Sequence, residues 1–368
     1  MTPLTVLAIT RPDSKVCGGV SSLWNSLERS LGPGVTYVTI GRRDGESGWI
    51  RTILRIIKDL VQWSKTLGTE PKAVIINTSL QRNALLRDSL FVALAKARRL
   101  HTVVFVHGWE AETYKVIASY RLVRLLFRLF FLRGTAVLVL SKEFRSSLLD
   151  LAPEAHVEIG TIVVPDEWLT ARVNPDRRSG TPKLLYMSRI EPQKGLLETL
   201  EALSLLKQRG YEVELLVAGE GAALPELREY SKQLGLRTVT FCGLVLGDKK
   251  KELIESASIL VLPSYYGEGL PVIVGEAMSR GLAVITTPAG GLRDIFVDGR
   301  MGILVPARDS HSVAAAIQEL LTRSDGLERI SVYNQRAATE LFSSGAFAKR
   351  LLAIACKSTD LPNRLTGS

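Results

Sequence analysis

Short apolar runs alternate with amphipathic stretches along the chain, and this alternation predicts repeated strand–helix units. Six apolar runs in the first half have strand length: Leu4–Ile9, Thr36–Ile40, Ala73–Asn77, Thr102–His107, Ala136–Leu140 and His156–Val164. Six more follow in the second half: Lys183–Met187, Glu212–Ala218, Val239–Phe241, Ile259–Leu262, Ala283–Thr286 and Gly302–Val305. Strands that alternate with helical stretches favour parallel sheets. We therefore predict an α/β protein.

A polar stretch with several prolines and glycines, residues 165–182, lies between the two sets of strands. Such a composition is typical of an interdomain linker. The chain has 368 residues, of which 46% are hydrophobic, and this is enough for two sizeable cores. We predict an N-terminal domain over residues 1–168 and a C-terminal domain over residues 176–336.

The charge of the chain is positive and uneven. The net charge is +10 at pH 7, of which residues 1–170 contribute +7 (22 Lys/Arg minus 15 Asp/Glu). A basic N-terminal half favours an anionic partner, such as a lipid headgroup or a pyrophosphate-linked acceptor. Nucleic acid also fits the charge, but the sequence has no helix-turn-helix, RNP or zinc-finger pattern, so we expect no nucleic-acid partner.

The cysteine and histidine content indicates the cellular compartment and whether a metal site is expected. Three cysteines without paired or metal-type spacing suit a reducing cytosol, and no basic region precedes the N-terminal apolar run. The chain contains four histidines, no Cys/His cluster and no Asp-x-Asp motif, so we expect no metal site. We expect a cytoplasmic protein.

The loop and helix after the strand Ile259–Leu262 carry the strongest chemical signal. The loop holds Ser264 and Glu268, and a helix is predicted to begin near Gly269, Leu270 and Pro271. Parallel-sheet enzymes bind ligands at the carboxyl ends of their strands, and helix N-termini attract anions. Glu276 is predicted roughly 9 Å further along the helix, at ~1.5 Å per residue. The two acids would then hold hydroxyls at both ends of a ligand, although a solvated helix glutamate also fits Glu276.

Two cations follow the first strand of the second half. Arg189 and Lys194 lie in the turn after Lys183–Met187. Fixed cations at a strand end neutralise the negative charge that develops on a departing nucleoside diphosphate. Ordinary solvated loop cations would give the same pattern.

The first half offers two further candidates at strand ends. Gly18 and Gly19 precede a predicted helix and suit contact between backbone N–H groups and phosphate, although a plain tight turn also fits. His107 ends the run Thr102–His107 beside a glycine, where it would hydrogen-bond a sugar or orient an acceptor. A lone histidine also fits a structural role.

The pattern Pro263-Ser264…Glu268-Gly269…Glu276-Ala277 resembles the signature of retaining glycosyltransferases of the GT-B architecture, in particular family 4. The resemblance implies two Rossmann-like, doubly wound parallel-sheet domains that face each other across a cleft. It also implies an N-terminal acceptor domain, a C-terminal donor domain, and a last helix, residues 337–358, that crosses back to the first domain. Relatives often have Pro-Asn-Gly where this chain has Pro165-Asp166-Glu167, which leaves the hinge open.

The resemblance also implies roles for single residues. Arg189 and Lys194 would contact the diphosphate, Glu276 the ribose and Glu268 the donor sugar. Gly18 and Gly19 would form the loop that faces the donor phosphates, and His107 would contact the transferred sugar. The backbone of Leu244 and Val245 would hold the base, and Ser264 would make a secondary contact.

We therefore predict a metal-independent, retaining glycosyltransferase without a cofactor. It would move a sugar from a UDP- or GDP-linked donor to a hydroxyl of a glycan or lipid-linked glycan, in cell-surface polysaccharide or glycolipid synthesis. Two alternatives stay open: a nucleotide-sugar epimerase of the same architecture, and a non-catalytic partner subunit that keeps the fold.

Two basic, apolar segments indicate contact with a membrane surface. Residues 115–133 contain five cations and no acid, and Arg121, Arg124 and Arg128 would share one helix face. Residues 49–65 have a similar composition. These segments are too charged to span a bilayer but suit interfacial helices on the anionic inner face of a membrane. Ordinary domain helices with arginines around a buried face are the alternative.

Overall fold

The computed structural model describes residues 7–12, 18–41, 48–170, 180–265, 269–323 and 326–357. These residues divide into two compact units. Unit 1 contains the described residues up to Val163 together with those from Ser344 onward. Unit 2 contains those from Val164 to Ser343.

Unit 1 is built around a six-stranded parallel sheet with the order β2-β1-β3-β4-β5-β6. Its strands are β1 (Leu7–Arg11), β2 (Val35–Thr39), β3 (Ala73–Leu80), β4 (His101–Trp109), β5 (Ala136–Val139) and β6 (His156–Ile159). Its helices are α1 (Gly19–Leu31), α2 (Trp49–Leu67), α3 (Arg82–Ala97), α4 (Ala111–Ser119), α5 (Arg121–Phe127), α6 (Lys142–Leu151) and α15 (Ser344–Lys357). The central strands are buried on both faces, which explains their continuous apolar runs.

Unit 2 contains a second six-stranded parallel sheet with the order β12-β11-β10-β7-β8-β9. Its strands are β7 (Lys183–Met187), β8 (Glu214–Ala218), β9 (Val239–Gly243), β10 (Ile259–Leu262), β11 (Ala283–Thr286) and β12 (Gly302–Leu304). Its helices are α7 (Asp166–Thr170), α8 (Leu196–Gln208), α9 (Leu224–Gln233), α10 (Gly247–Ser256), α11 (Val272–Ser279), α12 (Leu292–Ile295), α13 (Ser310–Thr322) and α14 (Gly326–Phe342).

The two parallel sheets confirm the predicted α/β class, and each predicted apolar run overlaps an observed strand, although residues 4–6 of the first run lie outside the described residues. The largest difference in extent concerns the run His156–Val164, because β6 ends at Ile159. Its neighbour β5 ends at Val139, so the last inter-strand bond is the one that Gly160 N–H donates to the Val139 carbonyl, at 2.7 Å. Val164 instead forms an isolated bridge with Ser343.

The C-terminal segment returns to unit 1 through α15. This helix packs against α1, β3 and β4, and Phe347 lies 6.1 Å from Phe105 between ring centroids. The segment predicted to cross back begins at Ala337, whereas α15 begins at Ser344. Ala338 and Phe342 belong to α14 and are fully buried, so that part of the segment stays with unit 2.

The basic segment 115–133 consists of three helical pieces, although a single helix face was predicted for it. Tyr120 has extended backbone angles (φ −100°, ψ 114°) and separates α4 from α5, and a π-helical turn, Arg128–Leu132, follows. Among the described residues, no helix is long and apolar enough to cross a membrane.

Candidate functional site

The strand order of unit 2 places a crevice-forming switch point between β7 and β10. The chain runs from β7 to β8 and β9 on one side, then returns to β10 on the other side. At such a point the loops after the two central strands diverge, and ligands bind between them at the carboxyl edge. The described residues of these loops are 188–195, 263–265 and 269–271, and they include the predicted residues Arg189, Lys194, Ser264, Gly269 and Leu270.

Hydrogen bonds hold these two loops together. The Gln193 carbonyl accepts from the Tyr265 backbone N–H at 3.0 Å and from the Ser264 hydroxyl at 3.3 Å. The Tyr265 hydroxyl donates to the Pro192 carbonyl at 3.0 Å. Ser264 itself is buried. Its position supports the loop geometry, in addition to the ligand contact that the sequence predicts.

Gly195 allows the close approach of the two loops. It caps α8 in the left-handed region with φ +81°, and a Cβ atom at this position would lie 2.5 Å from the Pro263 carbonyl oxygen. Both the backbone angle and the contact therefore require glycine. The Lys-Gly pair ends the 3₁₀ turn Pro192–Lys194 at this point.

The two predicted diphosphate cations lie in different environments. Lys194 is 4% exposed, and its backbone carbonyl accepts a hydrogen bond from the Tyr186 hydroxyl at 3.2 Å. Arg189 has a side chain that is 64% exposed, and its Nη1 lies 2.7 Å from Glu191 Oε1. The solvated-cation alternative therefore does not fit Lys194, whereas Arg189 is exposed and ion-paired.

Glu276 is a buried carboxylate held by a neighbouring helix. Its side chain is 3% exposed, and Lys250 Nζ of α10 lies 2.6 Å from each of its carboxylate oxygens. The ammonium group contacts both oxygens, and no other donor reaches Oε2 among the described residues. The solvated-glutamate alternative is therefore wrong, and one oxygen keeps its capacity to accept a hydrogen bond.

The helix that carries Glu276 begins later than predicted. Pro271 is the N-cap of α11 and Val272 its first residue, so Glu276 lies about 6 Å along the axis at ~1.5 Å per residue. Gly269 and Leu270 are both buried, and the Gly269 carbonyl accepts from the Gly291 N–H at 2.6 Å. Glu268, predicted to contact the donor sugar, lies outside the described residues.

The segment predicted to hold the base leads directly into α10. Gly243 ends β9 with φ +68°, and its carbonyl accepts from the Gly219 N–H at 2.8 Å. Leu244 is 48% exposed and Val245 is buried. Because α10 begins at Gly247 and carries Lys250, the predicted base segment and the partner of Glu276 are positioned by the same stretch of chain.

In unit 1, His107 belongs to a hydrogen-bonded row across three adjacent strands. Its Nε2 lies 2.7 Å from Asn77 Oδ1 on β3. Asn77 Nδ2 in turn donates to the Thr10 carbonyl on β1, and the Asn77 N–H donates to Thr10 Oγ1 at 3.0 Å. Because the amide nitrogen points at Thr10, Oδ1 faces the imidazole and accepts from Nε2–H.

The charge state of His107 follows from this environment. Burial lowers the pKa of His107 to about 3, so the ring is neutral at pH 7. With the proton on Nε2, Nδ1 carries the lone pair. Phe105 packs against the ring with centroids 4.0 Å apart. His107 is therefore a fixed hydrogen-bond acceptor rather than a cation.

The two glycines before α1 leave open space at its N-terminus. Gly18 has extended backbone angles (φ 177°, ψ 157°) and Gly19 is the first helical residue. None of the described residues lies within 4 Å of where a Cβ atom of Gly18 would be. The preceding residues 13–17 lie outside the described part of the chain.

Sequence reasoning missed three side chains that position the candidates. Lys250 holds Glu276, Glu191 pairs with Arg189, and Asn77 orients His107. Asn77 ends a predicted strand next to one that ends in His107, which was a usable signal. The sequence contained no signal for Lys250, because it is one of three consecutive lysines on a polar helix. Within the described ranges, no group of three or more His, Cys, Asp or Glu side chains is arranged to hold a metal ion.

Comparison with known sequences shows that unit 2 resembles glycosyltransferases. Residues 170–337 match the family described as "Glycosyl transferases group 1". Alpha-D-kanosaminyltransferase of Streptomyces kanamyceticus is 31% identical over 151 residues, which cover 41% of this chain and 39% of that protein. Phosphatidyl-myo-inositol mannosyltransferase of Mycolicibacterium smegmatis is 34% identical over 139 residues, which cover 38% of this chain and 36% of that protein. The matched stretches thus span less than two fifths of the length of these two relatives.

Comparison with solved structures extends over nearly the whole chain. The sucrose-phosphate synthase (tll1590) from Thermosynechococcus elongatus aligns with a TM-score of 0.75 and 16% identity, covering 97% of this chain and 99% of that one. At this identity the match shows the fold. The chain has the GT-B fold, and the glycosyltransferase resemblance inferred from the sequence is confirmed over residues 170–337.

Proposed function

On the premise of a GT-B fold with a group 1 donor unit, we propose that the protein is a retaining glycosyltransferase of the family 4 type. It transfers a sugar from a UDP- or GDP-linked donor to a hydroxyl of a glycan or lipid-linked glycan. The acceptor belongs to cell-surface polysaccharide or glycolipid synthesis, in line with the phosphatidyl-myo-inositol in the name of one relative.

The buried carboxylate of Glu276 is the observation that carries this proposal. A buried carboxylate that is held by a single lysine keeps lone pairs on both oxygens, and its burial is costly unless further donors, such as the hydroxyls of a ligand, use them. A ribose presents two adjacent hydroxyl donors, which suit a carboxylate acceptor. We assign Glu276 to the ribose and Lys250 to its orientation.

The diphosphate is assigned to the loop cations and the start of α11. Lys194 is buried beside the switch point, and Arg189 reaches it by leaving its exposed pair with Glu191. The amides near Gly269 and Leu270 add partial positive charge at the helix terminus. This arrangement stabilises the negative charge of the leaving group without a metal ion or a cofactor.

Retention of configuration follows from the family resemblance. The leaving phosphate takes up the proton of the acceptor hydroxyl on the same face of the sugar, so no separate general base is required. Glu268 orients the donor sugar. In unit 1, Nδ1 of His107 accepts a hydrogen bond from a hydroxyl of the transferred sugar, and Gly18 and Gly19 leave room for phosphate.

We assign a peripheral position on the cytoplasmic face of an anionic membrane to unit 1. Fifteen of the twenty exposed large apolar side chains among the described residues lie on α2, α3 and the α4 to π-turn region. Isolated exposed apolar residues are ordinary, but such a concentration marks an interaction surface. Cations along the same helices match an anionic partner.

A donor panel with product analysis tests the proposal. The purified protein is incubated with UDP- and GDP-sugars in EDTA, with and without lipid-linked acceptors. A transferase releases nucleoside diphosphate only with donor and acceptor together, and the product keeps the anomeric configuration of the donor. Conversion of the nucleotide sugar without acceptor would identify an epimerase, and the absence of any turnover would favour a non-catalytic subunit.

A further inference from the structure

A basic cavity lies in unit 1 at the sheet edge opposite His107. It has a volume of about 630 Å³ and is lined by Lys72, Lys96, Arg99, His101, Leu129 and Arg133, together with two further residues. Lys72 immediately precedes β3, and Arg133 lies shortly before β5. The cavity therefore opens at the amino edge of the sheet, and His101 and His107, at opposite ends of β4, are about 20 Å apart at ~3.3 Å per residue.

The cavity collects positive charge without a matching acid. No carboxylate belongs to its lining among the residues that the structure describes. The charge of Arg133 acts on Glu154, but the carboxylate of Glu154 is ion-paired with Arg128 at 2.6 Å. Burial, together with the charge of Arg133, lowers the pKa of Lys96 to about 8. Such crowding of cations is relieved by a bound anion.

Two backbone features direct cations toward this space. Lys96 Nζ donates to the carbonyls of Leu129 and Arg133, at 2.9 and 2.6 Å, and so fixes the end of the π-helical turn beside the cavity. Arg99 follows the C-cap of α3 with φ +56°, a position where glycine is usual. The left-handed conformation of Arg99 destabilises the folded state, and the arginine places its guanidinium at the edge of the cavity.

His101 is the histidine that lines the cavity. Burial lowers the pKa of His101 below its ordinary value; a hydrogen bond to the Ile354 backbone opposes this shift, and His156 adds to it. The Nε2 of His101 is buried without a hydrogen-bond partner in the described part of the chain. Because Nε2 is enclosed, His101 belongs to the wall of the cavity, where its ring responds to a bound anion through the surrounding field.

We propose that this cavity binds a phosphate group, either on a phospholipid headgroup or on a soluble phosphate ester. Four cationic side chains around one volume suit the several oxygens of a phosphate. Leu129 lines the cavity and is 48% exposed on the π-helical turn. A phospholipid could therefore place its phosphate in the cavity and its glycerol region against the apolar side. The site differs from the proposed donor site in both unit and sheet edge.

The test uses glycerol 3-phosphate as the soluble probe and vesicles of phosphatidylcholine, with or without phosphatidic acid, as the lipid probe. The chain has four histidines, so the imidazole signals of His101 and His107 are readily assigned by substitution. We expect glycerol 3-phosphate to shift the His101 signal saturably and to leave His107 unchanged. Absence of a saturable shift of His101, together with vesicle binding that does not depend on the cavity, overturns the proposal.

Matched variants separate the cavity from general charge. Arg99→Gln with Arg133→Gln removes two cavity cations, and Arg29→Gln with Lys349→Gln removes two exposed cations elsewhere in unit 1. We expect the cavity pair to weaken glycerol 3-phosphate binding at least tenfold and the control pair to change it less than twofold. Equal effects of both pairs overturn a defined site.

The two sources of phosphate give different vesicle results. If the source is a phospholipid, the cavity pair also loses at least tenfold in binding to phosphatidic acid vesicles. If it is a soluble ester, vesicle binding stays as in the parent protein. Arg99→Gly relieves the left-handed backbone and should keep or raise the melting temperature while it lowers phosphate affinity. A gain in stability with unchanged affinity would show that Arg99 has no part in binding.

Discussion

Lys250 Nζ lies 2.6 Å from both carboxylate oxygens of Glu276, and this ion pair joins α10 to α11 below the proposed ribose position. A second ion pair, Arg280 with Glu255 at 2.5 Å, joins α10 to the residue after α11. The two pairs have similar chemistry. Lys250 lies in the first half of α10, close to the predicted base segment, whereas Glu255 lies near the end of the helix. The Arg280–Glu255 pair is therefore a suitable control for the Lys250–Glu276 pair.

Glu276→Gln should weaken nucleotide binding. A hydrogen bond between a hydroxyl and a charged acceptor contributes on the order of 1.5–3 kcal/mol, so the dissociation constant should rise roughly ten- to a hundredfold. Isothermal titration calorimetry with the nucleoside diphosphate measures this change.

Glu255→Gln tests whether the effect is local. It disturbs the neighbouring ion pair while keeping a side chain that can accept from Arg280, and it should change stability but not nucleotide affinity. Equal losses of affinity in the two variants would mean that helix packing, and not a ribose contact, explains the result.

Lys194→Met should act mainly on turnover. Negative charge grows on the diphosphate as the glycosidic bond breaks, so a fixed cation lowers the barrier more than it tightens binding. We expect kcat to fall roughly 100-fold or more. Lys183→Met, at the first residue of β7 and therefore at the opposite sheet edge, is the matched control and should keep its kcat. Normal turnover of folded Lys194→Met would remove this residue from the site.

The imidazole of His107 should stay neutral well below pH 6. Its pKa is lowered from 6.5 to about 3, so the unfolded chain binds a proton in this range that the folded chain does not. The contribution of His107 to stability is complete above pH 6.5 and falls towards pH 3, by about 1.4 kcal/mol per pH unit. An NMR titration of the ring protons checks this, and titration near 6.5 would contradict it.

Asn77→Asp should raise the pKa of His107. The new carboxylate would lie about where Asn77 Oδ1 now accepts from Nε2–H, and a negative charge there favours the imidazolium. Nδ1 then gains a proton and can no longer accept from a sugar hydroxyl. We expect kcat to fall at pH 6 and to recover as the pH rises above the new pKa. A pH-independent defect would indicate a purely structural role.

Gly195→Ala and Gly210→Ala compare two glycines with the same φ of +81°. At Gly210 none of the described residues has an atom within 4 Å of the added Cβ, so the backbone cost of about 1 kcal/mol is the one that applies. At Gly195 the Cβ would also meet the Pro263 carbonyl, and the loops at the switch point must move apart. Chemical denaturation should show a larger loss for Gly195→Ala, with weaker donor binding. Equal losses would show that the loops do not depend on this contact.

The fold was predictable from the sequence because buried parallel strands are uniform apolar runs. β7, β10 and β11 have the predicted bounds, since each is fully or almost fully buried between turn residues. The break at Tyr120 was not predictable, because the apolar and basic periodicity continues through it. The end of β6 depends on the length of β5, which no local pattern reports.

The candidate site was predictable where glycines and strand ends mark it, and not where a partner comes from a distant part of the chain. His107 lies near the carboxyl end of β4, and Gly195 follows β7 and its 3₁₀ turn, so their positions could be inferred from local sequence. The pairing of Glu276 with Lys250 depends on how α10 packs beside α11, and the different exposure of Arg189 and Lys194 depends on the 3₁₀ turn. Neither leaves a periodic signal.

Replacing Arg121, Arg124 and Arg128 with Gln should weaken binding to anionic vesicles. Each charge near a membrane surface contributes roughly 1 kcal/mol, and the effect should decrease with added salt. A charge-matched control replaces three exposed cations of unit 2: Lys232, Arg300 and Arg336. Flotation assays measure both variants. If the parent protein does not bind vesicles, or both variants bind alike, the surface has another role.

Calorimetric titration of the parent protein with UDP and GDP in EDTA tests the central claim most directly, because every donor-site assignment requires one of these nucleotides to bind unit 2. We expect one of them to bind with a stoichiometry of one. At 100 times its dissociation constant it should stabilise the folded state by roughly 2.7 kcal/mol. Failure of both nucleotides to bind the folded protein would contradict the account.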